Sequence, residues 1–382
     1  MQVASSLTRA TADAARCGVT RLADVTGLDR IGMPVFQSVR PCSRALSVHQ
    51  GKGLTREIAM IGALMEAVES HHAEIFAGDT IIECFDALPV RARAPALSDF
   101  ASDRQDAPDG RTRIPWVPAR RLVDDRLLLV PFDVVSLDCT HQMDPRIDKS
   151  SVGLAAHYDR RAATLTAIFE VIERDAEWVW RMQPIEQRSL YRLDPRTVPF
   201  AWFQQLHATI ARVGLRLTLY EIPAVIALPV FICELVEPGA GGAARHIVYG
   251  SAAHDAPEQA LLRSVVEAVQ SRVTLIAGVR DDIFYLDQTL DRADSIGLGL
   301  PLPPGRPMRR WGEVEAAFGV PAQSDPIESD PIDLARRLSA AGYPDTAIID
   351  ISSPDSDAVV IKAVSPGLAS FARERRPAEP RG

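Results

Sequence analysis

The chain contains the stretch Ala59-Met-Ile-Gly-Ala63-Leu-Met-Glu66-Ala-Val-Glu69. Its spacing, two small residues followed by two acidic or amide residues, occurs three times. The other copies are Ala163-x3-Ala167-x2-Glu170-x2-Glu173 and Ala260-x3-Ser264-x2-Glu267-x2-Gln270. At about 100° per residue these positions share one narrow face of a helix, and the opposite face is apolar, as in Ile61, Leu64, Met65 and Val68. The sequence therefore predicts three equivalent helices.

Each copy follows a glycine-containing stretch and residues that are suited to begin a helix. Thr55 stands before the first copy, Asp159 stands before the second, and Asp255 with Pro257 and Glu258 stands before the third. These signals support three separate helix starts.

The shared face of the three helices combines small residues with acidic or amide side chains. Alanine and serine beside the carboxylates are expected to let another group approach the helix closely, unlike the long solvated side chains of an ordinary polar face. Carboxylates that converge on one place repel each other unless a cation lies among them. Oxygen ligands without histidine or cysteine favour Mg²⁺, which in proteins usually also binds a phosphate. The repeat alone therefore predicts a magnesium–nucleotide site.

Composition and charge exclude several classes of protein. The formal net charge is −8, so the chain lacks the basic footprint of a sequence-independent nucleic-acid binder. The longest apolar stretch, Ile222–Val236, contains two prolines, is too short to span a membrane and is better explained as two strands interrupted near Pro229. The five cysteines include no Cys-x-x-Cys pair, which argues against a disulfide framework and a zinc site. With no signal peptide at the start, we expect a cytoplasmic protein.

Shorter motifs accompany the repeat in a fixed order. Gly51-Lys52-Gly53 precedes the first glutamate pair, Arg174-Asp-Ala176 follows the second, and Ser271-Arg272 and Arg280-Asp-Asp282 follow the third copy. The lead-in is Thr26-Gly-Leu-Asp-Arg-Ile-Gly-Met-Pro-Val35, and the closing motif is Val364-Ser-Pro-Gly-Leu368. Together they resemble the signature blocks of the YcaO family over about residues 20 to 370. The lead-in and the stand-alone length are most similar to the YcaO subgroup that acts with a TfuA-type partner.

The resemblance implies an α/β fold, an internally repeated unit with mixed or antiparallel sheets and packed helices. Its expected bounds are residues 21–370, after an N-terminal extension at 1–20 and before a flexible tail at 371–382. Relatives also suggest a homodimer. From the local sequence we expect a loop from Leu298 to Pro307, a helix at Pro331–Ala341 and strands at Ala347–Ile351 and Ala358–Ile361.

The resemblance also implies an activity. Members of the family use ATP and Mg²⁺ to phosphorylate a backbone amide oxygen of a ribosomally made precursor peptide or of a protein. A nucleophile then attacks the activated carbon: a Cys, Ser or Thr side chain gives an azoline, a sulfur donor gives a thioamide, and an amine gives an amidine. The end of this chain lacks the proline-alternating tail of azoline-forming relatives, which favours a thioamide. A TfuA-like protein is the implied partner.

Residue by residue, the resemblance assigns a candidate site. The implied metal ligands are Glu66, Glu69, Glu170 and Glu173. Glu170 and Glu173 are also expected to be catalytic, together with Arg174, whose planar fork would bind phosphate. The other implied nucleotide-binding residues are Lys52, Glu267, Gln270 and Arg280.

The sequence departs from the family pattern at Ser70, Val152, Tyr158 and Ala162. Relatives often carry arginine at the first position, asparagine at the next two and an acidic residue at the last, and the residues at the last two usually help to hold metal or nucleotide. These departures favour a second hypothesis, a catalytically weakened scaffold that binds a precursor peptide and presents it to a partner enzyme. The retained glutamates and Arg174 favour the enzyme.

Overall fold

The computed structural model describes residues 2–76, 78–141, 144–239, 244–278, 307–319 and 329–369. Three β-sheets of three, four and six strands lie in these ranges, with helices packed against them. Every pairing between the strands named below is antiparallel. The expected α/β fold with antiparallel sheets is confirmed. No helix in the described ranges has both the length and the apolar character that a membrane span needs.

The elements follow one another along the chain as short runs of strands and of helices. The strands are β1 (Arg21–Asp24), β2 (Val35–Val39), β3 (Val48–Lys52), β4 (Ile81–Cys84), β5 (Arg113–Arg121), β6 (Leu127–Pro131), β7 (Leu154–His157), β8 (Arg192–Leu193), β9 (Arg216–Ile222), β10 (Val230–Pro238), β11 (Ala244–Ala253), β12 (Ala347–Asp350) and β13 (Val359–Val364). The helices are α1 (Gln2–Arg16), α2 (Arg56–Ile75), α3 (Phe132–Val135), α4 (Arg160–Arg181), α5 (Ile185–Arg188), α6 (Ala201–Arg212), α7 (Pro257–Ala277), α8 (Trp311–Phe318) and α9 (Pro331–Ala340).

The three sheets have simple strand orders. The smallest is β1-β2-β3, the next is β11-β10-β9-β8, and the largest is β4-β5-β12-β13-β7 with β6 also paired to β5. The apolar stretch Ile222–Val236 is divided as predicted, because β9 ends at Ile222 and β10 begins at Val230. The predicted late helix and strands are confirmed as α9, β12 and β13. The predicted loop from Leu298 lies outside the described residues except for its last residue, Pro307.

The three repeated helices are α2, α4 and α7, and their starts follow from local sequence. The Thr55 hydroxyl accepts a hydrogen bond from the N–H of Ile58 at 3.4 Å. The Asp159 carboxylate accepts one from the N–H of Ala162 at 2.7 Å. Helix α7 begins one residue after Ala256, with Pro257 in its first turn.

An N-terminal helix covers the apolar face of α2. Helix α1 lies within the segment expected to be an extension, and it packs along α2. Leu64 and Val68 of α2 are buried together with Ala10 and Ala14 of α1. The predicted apolar face of the first repeated helix is therefore covered by protein.

The small residues of the repeat allow the preceding strand to approach the helix closely, so the group that they admit is protein backbone. Gly51 of β3 lies so close to α2 that a Cβ atom on it would be 2.0 Å from the Ala59 carbonyl oxygen. A Cβ atom on Gly250 of β11 would be 2.4 Å from the Ser264 carbonyl oxygen of α7. Ala59 and Ser264 are fully buried. The side chains that remain available to a ligand on this face are the acidic and amide ones.

Candidate active site

Each repeated helix follows a strand at the edge of its own sheet. Strand β3 precedes α2, β7 precedes α4 and β11 precedes α7, and each of these strands ends the order of its sheet. We call each edge strand together with the helix that follows it a unit. Each helix also packs against the edge strand of the next unit: α2 against β7, α4 against β11, and α7 against β3. The three units thus close into a ring, and the acidic helix faces lie where three sheet edges meet.

The predicted metal-binding glutamates are held by backbone N–H groups of these edge strands and the residues beside them. Their carboxylates accept hydrogen bonds in four pairs: Glu66 from Gln50 at 3.3 Å, Glu69 from Ala156 at 3.1 Å, Glu170 from Gly153 at 3.0 Å and Glu173 from Ala253 at 3.3 Å. An unpaired N–H group at a sheet edge needs an acceptor, and a carboxylate is a strong one. The edges therefore fix the positions of the glutamates before any ligand binds.

The glutamates are close enough to disturb each other's ionisation. Burial raises the pKa of Glu69 well above its ordinary value, and the carboxylates of Glu170 and Glu66 raise it further. Burial also raises the pKa of Glu170, and it raises that of Glu173 to about 7, with the guanidinium of Arg174 opposing both shifts. Carboxylates that retain their protons in this way indicate a site that is short of positive charge. A divalent cation would supply that charge.

Arg174 lies at the centre of the acidic cluster. One of its terminal nitrogens is 3.0 Å from Glu177, 3.2 Å from the Ser251 hydroxyl and 3.4 Å from Glu173. Its other terminal nitrogen is 3.9 Å from Glu267 on α7. With 19% of its side chain exposed, Arg174 connects α4, β11 and α7 and is not an isolated surface salt bridge.

Glu177 is a site residue that the sequence analysis missed. It is 2% exposed, and Arg181 binds it at 2.8 Å in addition to Arg174. Burial opposes ionisation, but these two arginines together lower the pKa of Glu177. The signal was present in the sequence, because Glu177 follows Glu170 by two helical turns and so shares its face. Ser251, which binds Glu173 at 2.7 Å, gave no such signal because it lies on a distant strand.

The side of the site formed by the third repeated helix, α7, and the neighbouring strand β3 has amide and cationic groups. The Lys52 ammonium on β3 is 3.4 Å from the Glu267 carboxylate. The side-chain oxygen of Gln270 is buried and has no hydrogen-bond partner among the residues that the structure describes. Arg263, one turn before Glu267, is within electrostatic reach of Glu173 and makes no ion pair with the described residues. This side of the site therefore offers a guanidinium, an ammonium and an orphaned amide oxygen to a polar ligand.

Lys362 is a second missed residue. It lies on β13 directly opposite Leu154 of β7. Leu154 lies between Gly153 and Ala156, whose N–H groups donate to Glu170 and Glu69. Lys362 is 2% exposed and donates to the Ser150 carbonyl oxygen, and its charge opposes the burial-driven rise in the pKa of both glutamates. Its sequence signal was a single charge in the apolar run Val359–Val364.

A comparison with protein families decides the identity. A family model described as "YcaO cyclodehydratase, ATP- and Mg²⁺-binding" matches residues 50–369. The chain belongs to the YcaO family. ATP and Mg²⁺ are therefore its cofactors, as the sequence resemblance implied.

Individual relatives agree with this assignment of the YcaO chain. It is 31% identical over 363 residues to an uncharacterized protein in the tfuA 3′ region of Rhizobium leguminosarum bv. trifolii, with 92% of this chain and 84% of that protein covered. Among solved structures it resembles YcaO from Methanopyrus kandleri bound with AMPPCP and Mg²⁺, with a TM-score of 0.73, 20% identity, and 100% and 96% of the two chains covered. It also resembles a heterocyclase in complex with substrate and cofactor, with a TM-score of 0.72, 21% identity, and coverage of 93% and 50%.

The site of this YcaO chain suits a magnesium–nucleotide complex. In the described ranges, no three His, Cys, Asp or Glu side chains lie close enough together to hold a metal ion by themselves. Mg²⁺ commonly takes one or two carboxylates, with waters and substrate phosphates as its other ligands. The oxygen-only donors around Glu69 and Glu170, with Arg174 and Arg263 nearby, match that requirement and differ from a closed zinc site.

Two of the departures from the family pattern have partners other than the predicted metal-binding glutamates. The Tyr158 hydroxyl donates to Asp13 of α1 at 2.9 Å, and the Arg9 guanidinium lies 3.9 Å from its ring centre. The Ser70 hydroxyl donates to Glu74 at 3.2 Å. Tyr158 therefore attaches the N-terminal helix. The predicted nucleotide contact Arg280 and the tail at 371–382 lie outside the described residues.

Proposed function

We propose that this YcaO protein uses ATP and Mg²⁺ to phosphorylate the oxygen of a backbone amide in a peptide or protein substrate. The observation that carries the proposal is the anchoring of Glu66, Glu69, Glu170 and Glu173 on three sheet edges around Arg174. Four anchored carboxylates and one central guanidinium are far more than a structural salt bridge requires. They form a preorganised binding site for charge that arrives with a ligand.

In this proposal the chain's residues divide into two groups. Each Mg²⁺ is held by one or two of the carboxylates of Glu66, Glu69, Glu170 and Glu173, together with waters and phosphates, and when bound it neutralises negative charge on the phosphates. Arg174 and the residues of the α7 side (Lys52, Arg263, Glu267 and Gln270) hold the nucleotide. Arg280 keeps its expected role as a further nucleotide contact.

The protein's part in the reaction is mainly alignment. The amide oxygen forms a bond to the terminal phosphorus, and the bond from that phosphorus to the ADP oxygen breaks. The amide carbon then accepts a nucleophile, and phosphate leaves with the former amide oxygen. Because this chemistry needs positioning and charge neutralisation, a site rich in fixed charges suits it.

A thioamide is the product that we favour over an azoline, and a TfuA-like protein is the partner that we infer. Support comes from the relative in a tfuA 3′ region, which covers 92% of this chain. The substrate class is a precursor peptide or a protein segment. The homodimer suggested by the family resemblance stays a prediction that light scattering can test.

The experiment combines the purified protein, MgATP, a sulfide donor, a TfuA-like partner and a candidate peptide encoded nearby. Mass spectrometry distinguishes the outcomes, because exchange of oxygen for sulfur raises the peptide mass and loss of water lowers it. An unchanged peptide, although MgATP binds, would count against amide activation. The scaffold hypothesis predicts that result, and Ser70, Tyr158 and Ala162 are the departures from the family pattern that favour it.

A further inference from the structure

A basic pocket lies apart from the acidic site. It has a volume of about 320 Å³ and lies between the turn Val90–Ala92 and the β5–β6 hairpin. Four arginines line it, with Val90 and Asp345 beside them: Arg91, Arg93, Arg121 and Arg126. We call it the arginine pocket. Such a concentration of positive charge is unexpected in a chain whose formal net charge is −8.

Only half of this charge is neutralised by neighbouring acids. Arg121 pairs with Asp345 at 2.9 Å, and Arg126 pairs with Asp124 at 3.3 Å. The other two arginines have no carboxylate partner among the described residues. An unneutralised guanidinium at the wall of a pocket is a strong donor for a carboxylate or a phosphate.

The two unneutralised arginines differ in how they are held. Arg93 donates to the carbonyl oxygens of Phe85 and Asp86 at 3.3 and 3.4 Å and lies 5.1 Å from the Phe85 ring centre. Arg91 is exposed, and the structure gives it no ion pair or hydrogen bond with described residues. One guanidinium is therefore fixed in place, and the other can adjust to a ligand.

The arginine pocket also has an apolar part. Val90 is 76% exposed, and Ala94 and Pro95 complete the wall beside it. Apolar groups next to arginines are typical of surfaces that bind polypeptides, where Arg often carries much of the binding energy. A free inorganic anion would make no use of Val90.

We propose that the arginine pocket binds an acidic segment of the peptide substrate, at a distance from the amide that reacts. This inference rests on the proposed function only in naming the substrate as the occupant. The charge of the pocket selects carboxylates, and its apolar wall selects a polypeptide over a small anion.

The sheet connects the pocket to the site and gives the scale of their separation. Arg121 of β5 pairs with Ala347 of β12, which pairs with Val364 of β13, and β13 pairs with β7 at the site. Three strand spacings of about 4.8 Å amount to about 14 Å across the sheet from β5 to β7. At about 3.3 Å per residue, we expect the acidic segment about four residues or more from the modified amide.

The test uses a fluorescein-labelled synthetic peptide that carries glutamates around a leucine, and the same peptide with glutamines. Fluorescence anisotropy without ATP should show binding of the glutamate peptide that weakens with added salt. Arg91→Glu and the double variant Arg91→Gln/Arg93→Gln should each weaken it about tenfold. Arg120→Ala is the matched control, because Arg120 is on the same strand but pairs with Asp125 outside the pocket. All three variants should bind MgATP normally.

Three results would overturn the proposal: equal binding of the glutamine peptide, unchanged binding by Arg91→Glu, or displacement of the peptide by inorganic phosphate at equal concentration. The last result would mean a site for small anions. Arg91→Glu keeps the test valid if the double variant fails to fold, since Arg91 is exposed and has no hydrogen bond or ion pair with the described part of the chain to lose. Because the peptide is measured without ATP, failure here and failure of amide phosphorylation are observed separately.

Discussion

Glu69, on the first repeated helix, accepts a hydrogen bond at 3.1 Å from the N–H of Ala156, on the strand that precedes the second repeated helix. Glu173 on the second helix repeats this contact with Ala253 before the third helix, at 3.3 Å. In the first unit, Lys52 stands at the position that Ala156 and Ala253 have in the other two. On the third helix, Gln270 stands at the position of Glu69 and Glu173. The ring of repeats therefore has two acidic junctions and one amide junction, and we propose that Mg²⁺ binds at the acidic junctions and the nucleotide at the amide junction.

Replacing Glu170 by Gln should lower turnover more than about a hundredfold, because the variant loses a carboxylate that the proposal assigns to Mg²⁺. The fold should survive, since the amide oxygen still accepts from Gly153 and the change relieves repulsion with Glu69. ATP-dependent peptide modification and the melting temperature check both points. Glu186→Gln, at an exposed position, is the control. Wild-type activity in Glu170→Gln would remove this glutamate from the site.

Arg174→Lys should lose most activity although the charge is kept. The two terminal nitrogens of Arg174 reach Glu177 and Glu267 on different helices, and a single ammonium cannot reproduce that fork. Mass spectrometry of the peptide product measures the loss. The control is Arg160→Lys, whose exposed side chain pairs with Asp350. Product formation at the wild-type rate in Arg174→Lys would show that the fork has no role.

The pH dependence of stability should reverse when ligand binds. Folding raises the pKa of Glu173 from 4.5 to about 7, mainly through burial, so between these values the folded protein binds more protons than the unfolded chain. Without Mg²⁺, this contribution to stability is therefore present below pH 4.5 and is lost as pH rises through about 7. Mg²⁺ binding needs the ionised carboxylate, so its affinity should increase over the same range.

Thermal melts across this pH range, with and without MgATP, measure the effect. The variant Glu173→Gln should show a weaker loss of stability with rising pH than the wild type. Glu69 and Glu170, whose pKa values are raised in the same direction, should leave a residual dependence. Equal curves for wild type and Glu173→Gln would contradict the assignment.

Lys362→Met should destabilise the protein by roughly 3 kcal/mol, because it removes a buried cation from beside carboxylates that remain. Mg²⁺ with ATP should restore part of the loss by supplying positive charge near Glu69 and Glu170. Lys362→Arg, which keeps the charge, is the control. A melting temperature that is unchanged in Lys362→Met would show that Lys362 does not balance the glutamates.

The three repeated helices were predictable because their signals are local. Capping residues, an apolar face and the repeated glutamates all lie within a few turns of each other, and α2, α4 and α7 begin close to the expected residues. The placement of β3, β7 and β11 at sheet edges was not predictable, since it depends on pairing between strands far apart in the chain. The small residues were expected to allow a close approach, but the identity of the approaching group, Gly51 of the edge strand, was not predictable for the same reason.

The candidate site was partly predictable. Helical spacing brought Glu170, Glu173 and Arg174 to one face, and the same spacing could have added Glu177. Ser251 and Lys362 reach the cluster through tertiary contacts, for which the sequence offered at most an isolated charge in an apolar strand.

The central claim is that this site transfers a phosphoryl group to a backbone amide oxygen, and isotope transfer tests it most directly. A peptide substrate whose reacting amide carries ¹⁸O is incubated with the protein, MgATP and the nucleophile, and the released phosphate is analysed by mass spectrometry. The account predicts one ¹⁸O atom in the phosphate for each modified peptide, and no labelled phosphate with Glu170→Gln. Modified peptide accompanied by unlabelled phosphate would contradict it.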